Sequence, residues 1–515
     1  MLTKILSAAH FGLKTIPVEV EVEVSKTGFP GFNIIGLPNK EIEEAKERVK
    51  TALTNSGFPF PTAKIIVNLA PADIPKEGSH YDLPIAVGIL NFLEAIPPIR
   101  RVLQKAFFYG ELSLDGSLRH SKGVFLLAMA AKELKIENLF VPAPSANEAA
   151  VVRQITVYPV STLRQLVLHL NGIETIPKAK RPTIPETGQE TIVEFDFAEI
   201  LGQEQAKRAL EIAAAGGHNI FLQGPPGAGK TMLARALPGI LPPLNEEESL
   251  EVTKIYSLTG NIPPGGSLIR TRPFRAVHHT SSRVGLIGGG TQPHPGEISL
   301  AHFGVLFLDE LPEFPRSTLE ALRQPLEDGV VTVSREAGSN QFPARFMLVA
   351  AANPCPCGFL GDPKRECRCG PRQISRYQAR LSGPLMDRID LHLNVPAVEV
   401  EKLTIFGDGK STKPESSKII RARVQDARKI QNKRFLGTGV QTNAQMGNKQ
   451  VKKFCSLESQ AEMILKQAVA NFHLSARTYF RLIKVGRTIA DLAFEKTIRA
   501  DHIAEALQYR IRVQE

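Results

Sequence analysis

The stretch that most limits what this chain can fold into is residues 219–237. It reads as an apolar strand, Asn219-Ile-Phe-Leu-Gln, then a glycine-rich turn, then a helix that opens on Lys230 and Thr231. The turn is Gly224, Pro225, Pro226, Gly227, Ala228 and Gly229. The spacing is G-x-x-x-x-G-K-[ST] in strand–loop–helix order, the setting in which this pattern cradles phosphate. Glycines let successive backbone N–H groups turn inward without a Cβ clash. The helix start adds partial positive charge. Lys230 is expected to reach the β- and γ-phosphates of ATP, and the Thr231 hydroxyl to ligate Mg²⁺.

A second strand ends in acid. Val305-Leu-Phe-Leu is followed by Asp309 and Glu310. A continuous apolar run suits a central parallel strand, and ligands of open α/β sheets sit beyond the C-terminal strand ends. Asp309 would hold Mg²⁺ through water, and Glu310 would polarise the attacking water as general base. Phe346-Met-Leu-Val-Ala-Ala-Ala repeats the pattern and ends in Asn353. A carboxamide there can bond the γ-phosphate or the water; a turn cap is the plainer alternative.

At 515 residues the chain exceeds one compact core. Residues 1–170 mix strands and helices. Val18-Glu-Val-Glu-Val-Glu-Val24 alternates like a half-buried strand, 64–69 reads as a strand, and 39–57, 83–93 and 123–134 read as helices. Residues 171–194 are rich in Pro, Lys, Thr and Glu and read as a linker. Residues 195–395 hold the nucleotide motifs, and 396–515 carry helical patterns at 416–434, 456–471, 475–494 and 499–510. The net charge of +11 favours polyanion partners, chiefly nucleic acid. Ten Lys or Arg and one acid, Asp426, fall between Lys418 and Lys453. No run of eighteen apolar residues is present, so no membrane span is expected, and a cytoplasmic location is.

Taken together the motifs resemble the AAA+ ATPases. Asp196-Phe-Ala-Glu-Ile-Leu-Gly-Gln-Glu-Gln-Ala-Lys-Arg-Ala-Leu resembles the segment that closes over adenine. Phe274-Arg-Ala-Val-His-His-Thr-Ser, Gly288-Gly-Gly, Pro295-Gly-Glu-Ile-Ser-Leu-Ala-His, Leu308-Asp-Glu-Leu-Pro-Glu-Phe and Leu381-Ser-Gly-Pro-Leu-Met-Asp-Arg-Ile-Asp-Leu resemble the magnesium-chelatase-like AAA+ proteins of the YifB/ComM type along essentially the whole chain. The resemblance implies an α/β P-loop NTPase core with a helical lid, preceded by a Lon-protease-like α+β domain. It implies Glu310 as catalytic glutamate, Asn353 as first sensor and Arg388 as arginine finger. It also implies Arg477 as the lid's sensor arginine, with Arg481 as rival. A finger implies sites between subunits, hence a homo-oligomeric ring, expected to be a hexamer. Two inserts, at 276–299 and a hairpin at 330–346, match elements that face the pore and touch DNA in related motors. Arg335 is the candidate tip contact, and a salt bridge with Glu336 is the alternative.

Cys355, Cys357, Cys367 and Cys369 fall in a C-x-C-x₉-C-x-C pattern. Two such pairs can form a tetrahedral thiolate site for Zn²⁺; free thiols and a redox disulfide remain open. Lys364, Arg365 and Arg368 would offset thiolate charge. Cys455 reads as a packed small residue.

Lon-type proteolysis needs a serine and a lysine within reach of each other. Pro75-Lys-Glu-Gly78 resembles the turn before the Lon nucleophile, but the nucleophile register falls at 80–82 and Ser79 is one place early. Arg119 stands where the lysine would be, and a guanidinium cannot act as base. The expectation is a non-proteolytic domain. Three functions stay in view: a DNA helicase or branch-migration motor of natural transformation, a protein-remodelling chelatase-type motor, and a Lon-like protease.

Overall fold

The computed structural model describes residues 2–27, 29–97, 105–182, 194–290, 293–335, 338–362, 365–381, 383–397 and 414–510. Residues 183–193 of the expected linker, Glu336, Lys364 and the side chain of Arg335 lie outside the described residues. The chain forms two compact units, Met1–Glu186 with Glu246–Ile269, and Thr187–Asn245 with Arg270–Glu515.

The first unit is built on a seven-stranded sheet. Its order is Gly31–Ile35, Lys64–Ala70, Lys14–Ser25, Leu2–Phe11, Ala106–Phe108, Asn138–Pro142 and Thr156–Val160. Leu2–Phe11 runs antiparallel to Lys14–Ser25 and parallel to Ala106–Phe108. The Val/Glu alternation has its expected outcome: Val18, Val20, Val22 and Val24 are buried, while Glu19 and Glu21 face out to Lys4. The expected helix at 39–57 is broken into Lys40–Glu43 and Ala45–Asn55. Helix Asp82–Phe92 is buried along nearly its whole length, with Arg48 pairing its one acid, Asp82. It lies so close to the sheet that a Cβ on Gly88 would meet Val22 Cγ2 at 2.4 Å. The early part of the expected linker is docked on this unit. Ile176 joins its core, and the Ala179 N–H donates to Val157 O at 2.8 Å, extending the sheet edge.

The reading that put 195–395 in one block departs from the compact units over Glu246–Ile269, which clusters with the first unit. The reason lies in helix Glu246–Thr259, which buries Val252, Ile255 and Ser257. The Gly123 N–H donates to Ser257 O at 2.9 Å, and the Phe125 N–H to Ser257 Oγ at 3.3 Å, so this helix caps helix Val124–Glu133. Glu148 closes the cap, accepting from Phe125 N–H at 2.8 Å and from the Ser257 hydroxyl.

The second unit holds a five-stranded parallel sheet. Its order is Phe274–Val277, Val305–Leu308, Met347–Ala352, Ile220–Gln223 and Leu391–Asn394. The P-loop strand is thus interior, between the central strand that leads to Asn353 and the edge strand that follows Arg388. Helices Ser417–Arg434, Asn448–Phe454, Ser459–Asn471, Ala476–Leu492 and Ala500–Gln508 share one core with this sheet. They are keyed on the buried Asp491 carboxylate, which accepts from Arg434, Arg487 and Asn443. The hairpin Val330–Arg335 with Gly338–Pro343 and the ribbon Gly288–Gly289 with His294–Pro295 form within the two inserts.

The basic stretch at 418–453 is less free than its charge suggests. Arg421 donates to Gly239 O, Arg423 to Glu211 and Glu415, Arg428 to Ala214 O and Arg434 to Asp491, while Lys429 pairs with Asp426. Lys418, Lys433, Lys449, Lys452 and Lys453 remain exposed.

Candidate nucleotide-binding site

The loop after Gln223 is shaped by three glycines with two different needs. A Cβ on Gly224 would lie 2.1 Å from Val395 O, so this position is glycine because a neighbouring backbone crowds it. Gly227 and Gly229 have φ of 78° and 86°, and a Cβ on either would meet nothing within 4 Å. There the left-handed backbone, not crowding, requires glycine, and the space beside the loop is open. Lys230 starts helix Lys230–Ala236 and turns back into the loop. Its Nζ donates to Gly224 O at 2.7 Å, Pro225 O at 2.9 Å and Asn353 Oδ1 at 3.1 Å. Burial pushes this ammonium down, and the carboxylates of Asp309 and Glu310 pull it partly back.

Thr231, in the first turn of helix Lys230–Ala236, and Asp309, just past the end of strand Val305–Leu308, meet directly. The threonine hydroxyl donates to Asp309 Oδ2 at 2.9 Å. A hydroxyl and a carboxylate converging beside an ammonium are the oxygen donors that Mg²⁺ takes with a nucleotide, so the residues present fit that ion. Glu310 follows in the left-handed region, with φ 51° and ψ 47°, and its backbone N–H caps Asp309 Oδ1 at 2.9 Å. A non-glycine residue held there is unusual, and such strain concentrates at functional sites. Its carboxylate lies 3.1 Å from His279 Nδ1. The sequence reading gave His279 no role. The signal was available: His279 follows strand Phe274–Val277, the parallel neighbour of the strand that ends at the acid pair.

Arg388 and the lid arginines are elsewhere. Arg388 precedes strand Leu391–Asn394, whose Leu391 pairs with Ile220, and its carbonyl accepts from Asn219 Nδ2 at 3.1 Å. It therefore lies at the entry of the P-loop strand, while Lys230 lies beyond its exit. The four-residue strand alone separates them by about 13 Å. Arg388 Nη2 is 2.5 Å from Glu327 Oε1, and Arg477 Nη2 is 3.3 Å from the same oxygen. The Arg388 contact, seconded by Arg477 and Arg481, holds the Glu327 carboxyl below its ordinary range. Arg481 pairs instead with Asp390 at 3.3 Å, and His218 Nδ1 stands 3.1 Å from that carboxylate. Burial alone would raise Asp390; His218, Arg481 and Lys484 outweigh it and hold it at about 2.

The four cysteines do come together. Sγ of Cys355 is 3.4 Å from Cys357 Sγ and 3.6 Å from Cys367 Sγ, Cys357 and Cys367 are 3.6 Å apart, and the Cys357 N–H points at Cys369 Sγ. None is in a disulfide. A tetrahedron with metal–sulfur bonds of about 2.3 Å has edges of about 3.8 Å, so the spacing suits a bound tetrahedral ion. Backbone N–H groups of Phe359 and Arg368 pull the Cys357 thiol down to about 6.

In the first unit, Ser79 Oγ donates to the Glu111 carboxylate, the buried Lys76 amine donates to Pro71 O, and Arg119 Nε donates to Ser113 Oγ at 2.7 Å. The polar partner of Ser79 is an acid, not an amine.

The chain matches three family descriptions in succession: "Subunit ChlI of Mg-chelatase" over 20–145, "Magnesium chelatase, subunit ChlI" over 196–403, and "Magnesium chelatase, subunit ChlI C-terminal" over 414–510. It is 44% identical to Competence protein ComM of Haemophilus influenzae, covering 99% of this chain and 97% of that protein. It is 42% identical to protein YifB of Escherichia coli, covering 98% of this chain and 96% of that one. Among the described residues no helix is long and apolar enough to cross a membrane. With a P-loop on a parallel sheet, an acid pair two strands away in that sheet, and 42–44% identity to those two proteins over nearly the full length, the chain belongs to the magnesium-chelatase-like AAA+ proteins of the YifB/ComM type.

Proposed function

We propose that this ATPase is a DNA motor that works as a ring, a hexamer, in the cytoplasm. Its task would be that of a helicase moving DNA branches while transforming DNA is integrated. The observation that carries the reading is the divided site. Lys230, Thr231, Asp309, Glu310 and Asn353 gather beyond the C-terminal ends of the strands, and Arg388 and Arg477 gather at the opposite end. A chain so built can present its arginines to a neighbour's nucleotide and not to its own. The competence name of the Haemophilus influenzae relative, the net charge of +11 and the exposed lysines of the lid support DNA as the load.

In this reading residues 195–395 are the motor core and 396–515 its lid. Gly224, Pro225, Pro226, Gly227, Ala228 and Gly229 wrap the phosphates of ATP, and Lys230 exchanges its loop carbonyls for phosphate oxygens. Thr231 and Asp309 hold Mg²⁺, which when bound neutralises charge developing on the phosphates. Glu310 leaves His279 to take a proton from the attacking water. Asn353 keeps one hydrogen bond to Lys230 and offers its amide to the γ-phosphate. Arg388, as arginine finger, leaves Glu327 to stabilise charge on the neighbour's γ-phosphate, and Arg477 leaves the same carboxylate to act as the lid's sensor arginine. Cys355, Cys357, Cys367 and Cys369 hold Zn²⁺ and stiffen the chain between Asn353 and Arg388.

The test is ATP hydrolysis with and without branched DNA, in the unsubstituted protein and in E310Q. DNA should raise turnover, and E310Q should lower it by about 10²–10⁴-fold while ATP still binds. If DNA changes nothing and no fork is unwound, the DNA reading fails; stimulation by a protein partner alone would favour a remodelling motor. Mixing K230A with R388A subunits should restore activity that neither has alone, and no recovery would refute shared sites.

A further inference from the structure

The chain after Asn353 gathers four thiols and then starts helix Pro371–Gln378. Residues 355–380 carry six Lys or Arg against Asp362 and Glu366. A zinc ion with four thiolates has a net charge of about −2, which two cations offset. Arg365, with its guanidinium 5.1 Å over the Phe359 ring, and Arg368, between two cysteines, lie on the loop that makes that charge. Arg372 and Arg376 do not. They stand one turn apart on the helix, both exposed, and neither pairs with a carboxylate among the described residues. Positions i and i+4 share a helix face, and their Cα atoms are about 6 Å apart along the axis, near the spacing of neighbouring phosphates on one strand.

The other side of this helix is fastened to the nucleotide site. Tyr377 is buried. Gln378 Nε2 donates to Pro354 O at 3.3 Å, beside Asn353. Arg380, just past the helix, donates to Glu313 at 2.8 Å, on the turn that begins at Glu310. A pull on the exposed face is therefore delivered to the strand ends that carry Asn353 and Glu310.

We infer that Arg372 and Arg376 grip the phosphate backbone of a DNA strand, and that their helix couples that grip to ATP hydrolysis. The inference rests on the DNA-motor reading. A guanidinium offers phosphate two parallel N–H donors on a planar fork, and such contacts position DNA without reading its sequence. The thiol cluster then serves as the fixed mount of the helix.

The experiment measures binding of a fluorescent oligothymidine to full-length protein by anisotropy over a salt series. It compares the unsubstituted chain, R372Q/R376Q and a charge-matched variant of two exposed lysines of the first unit, K132Q/K135Q. On single strands each lost phosphate contact lowers the log–log salt slope by about 0.7, so R372Q/R376Q should lower it by about 1.4. Affinity should fall at least about tenfold, DNA stimulation of hydrolysis should fall with it, and the metal content should stay as in the unsubstituted protein. An unchanged slope overturns the inference alone. So does an equal loss from K132Q/K135Q, because bulk charge would then explain the effect. An unsubstituted chain that binds no DNA removes the motor reading itself, and this inference with it.

Discussion

Replacing Cys367 with serine takes one corner from the thiol tetrahedron and should uncouple the two ends of a fifteen-residue loop, 355–369. The sulfur geometry sets the size of the effect. The three sulfur separations, 3.4, 3.6 and 3.6 Å, are a few tenths below the edge of a zinc tetrathiolate, about 3.8 Å. A metal can therefore enter with little backbone movement, and its stabilisation is chiefly that of a cross-link on the unfolded chain. For a loop of fifteen residues that is about 3 kcal/mol. With a urea slope of about 3 kcal/mol/M the unfolding midpoint should drop by about 1 M. Metal release is followed with a chromogenic chelator and unfolding by far-ultraviolet circular dichroism. The unsubstituted protein should release one zinc per chain, and after chelation its midpoint should match that of C367S. Well under one metal per chain, or a C367S midpoint within about 0.2 M of the original, would refute the cross-link.

Three further outcomes follow from single side chains. Burial raises the Glu148 carboxyl from its ordinary 4.5 to about 7, against the bonds from Ser257 and Phe125. The folded state thus holds a proton that the unfolded state has lost, so stability should fall by about 3 kcal/mol as pH rises from about 4.5 to 7. E148Q should remove that slope and be the more stable form at pH about 8; equal urea midpoint differences at low and high pH would contradict this. D390N leaves Arg481 without its buried partner and should cost about 3 kcal/mol in urea unfolding, and a loss below about 1 kcal/mol would show that the lid is held otherwise. G224A puts a methyl 2.1 Å from Val395 O and should weaken binding of a fluorescent ATP analogue at least about tenfold, or about 1.4 kcal/mol; unchanged binding would mean that the loop yields without cost.

The nucleotide site was legible because its signals are local. A strand, three glycines and Lys-Thr occupy one short stretch, and the acids and Asn353 end apolar runs that can only be central strands. What escaped the sequence were choices of partner. The Thr231 handshake with Asp309, the His279 contact with Glu310 and the sharing of Glu327 by Arg388 and Arg477 each join separate segments. The stretch 418–453 shows the same limit for charge. Its four arginines all donate to backbone carbonyls or acids, whereas all six lysines stay exposed, Lys429 with a surface partner in Asp426. Charge counts both kinds alike, but a planar fork of donors finds buried acceptors that a solvated ammonium does not. Helix Glu246–Thr259 announces an apolar face at Val252 and Ile255, and nothing nearby in sequence says that it will lie on Val124–Glu133.

That helix also sets an order of events during synthesis. Domains as a rule fold as their chain emerges, the N-terminal one first. Here the first unit stays incomplete when residue 186 has been made, with the caps at Gly123 and Phe125 and the Glu148 carboxyl lacking their partner at Ser257. The ribosome must add the P-loop strand and its helix before residues 246–269 arrive, a wait of roughly 4–17 s at ordinary elongation rates. For that interval the nascent chain carries an uncovered apolar helix face. A fragment cut at the apparent boundary would carry it permanently, so the N-terminal unit is one whose last piece is delivered by the motor's own sequence.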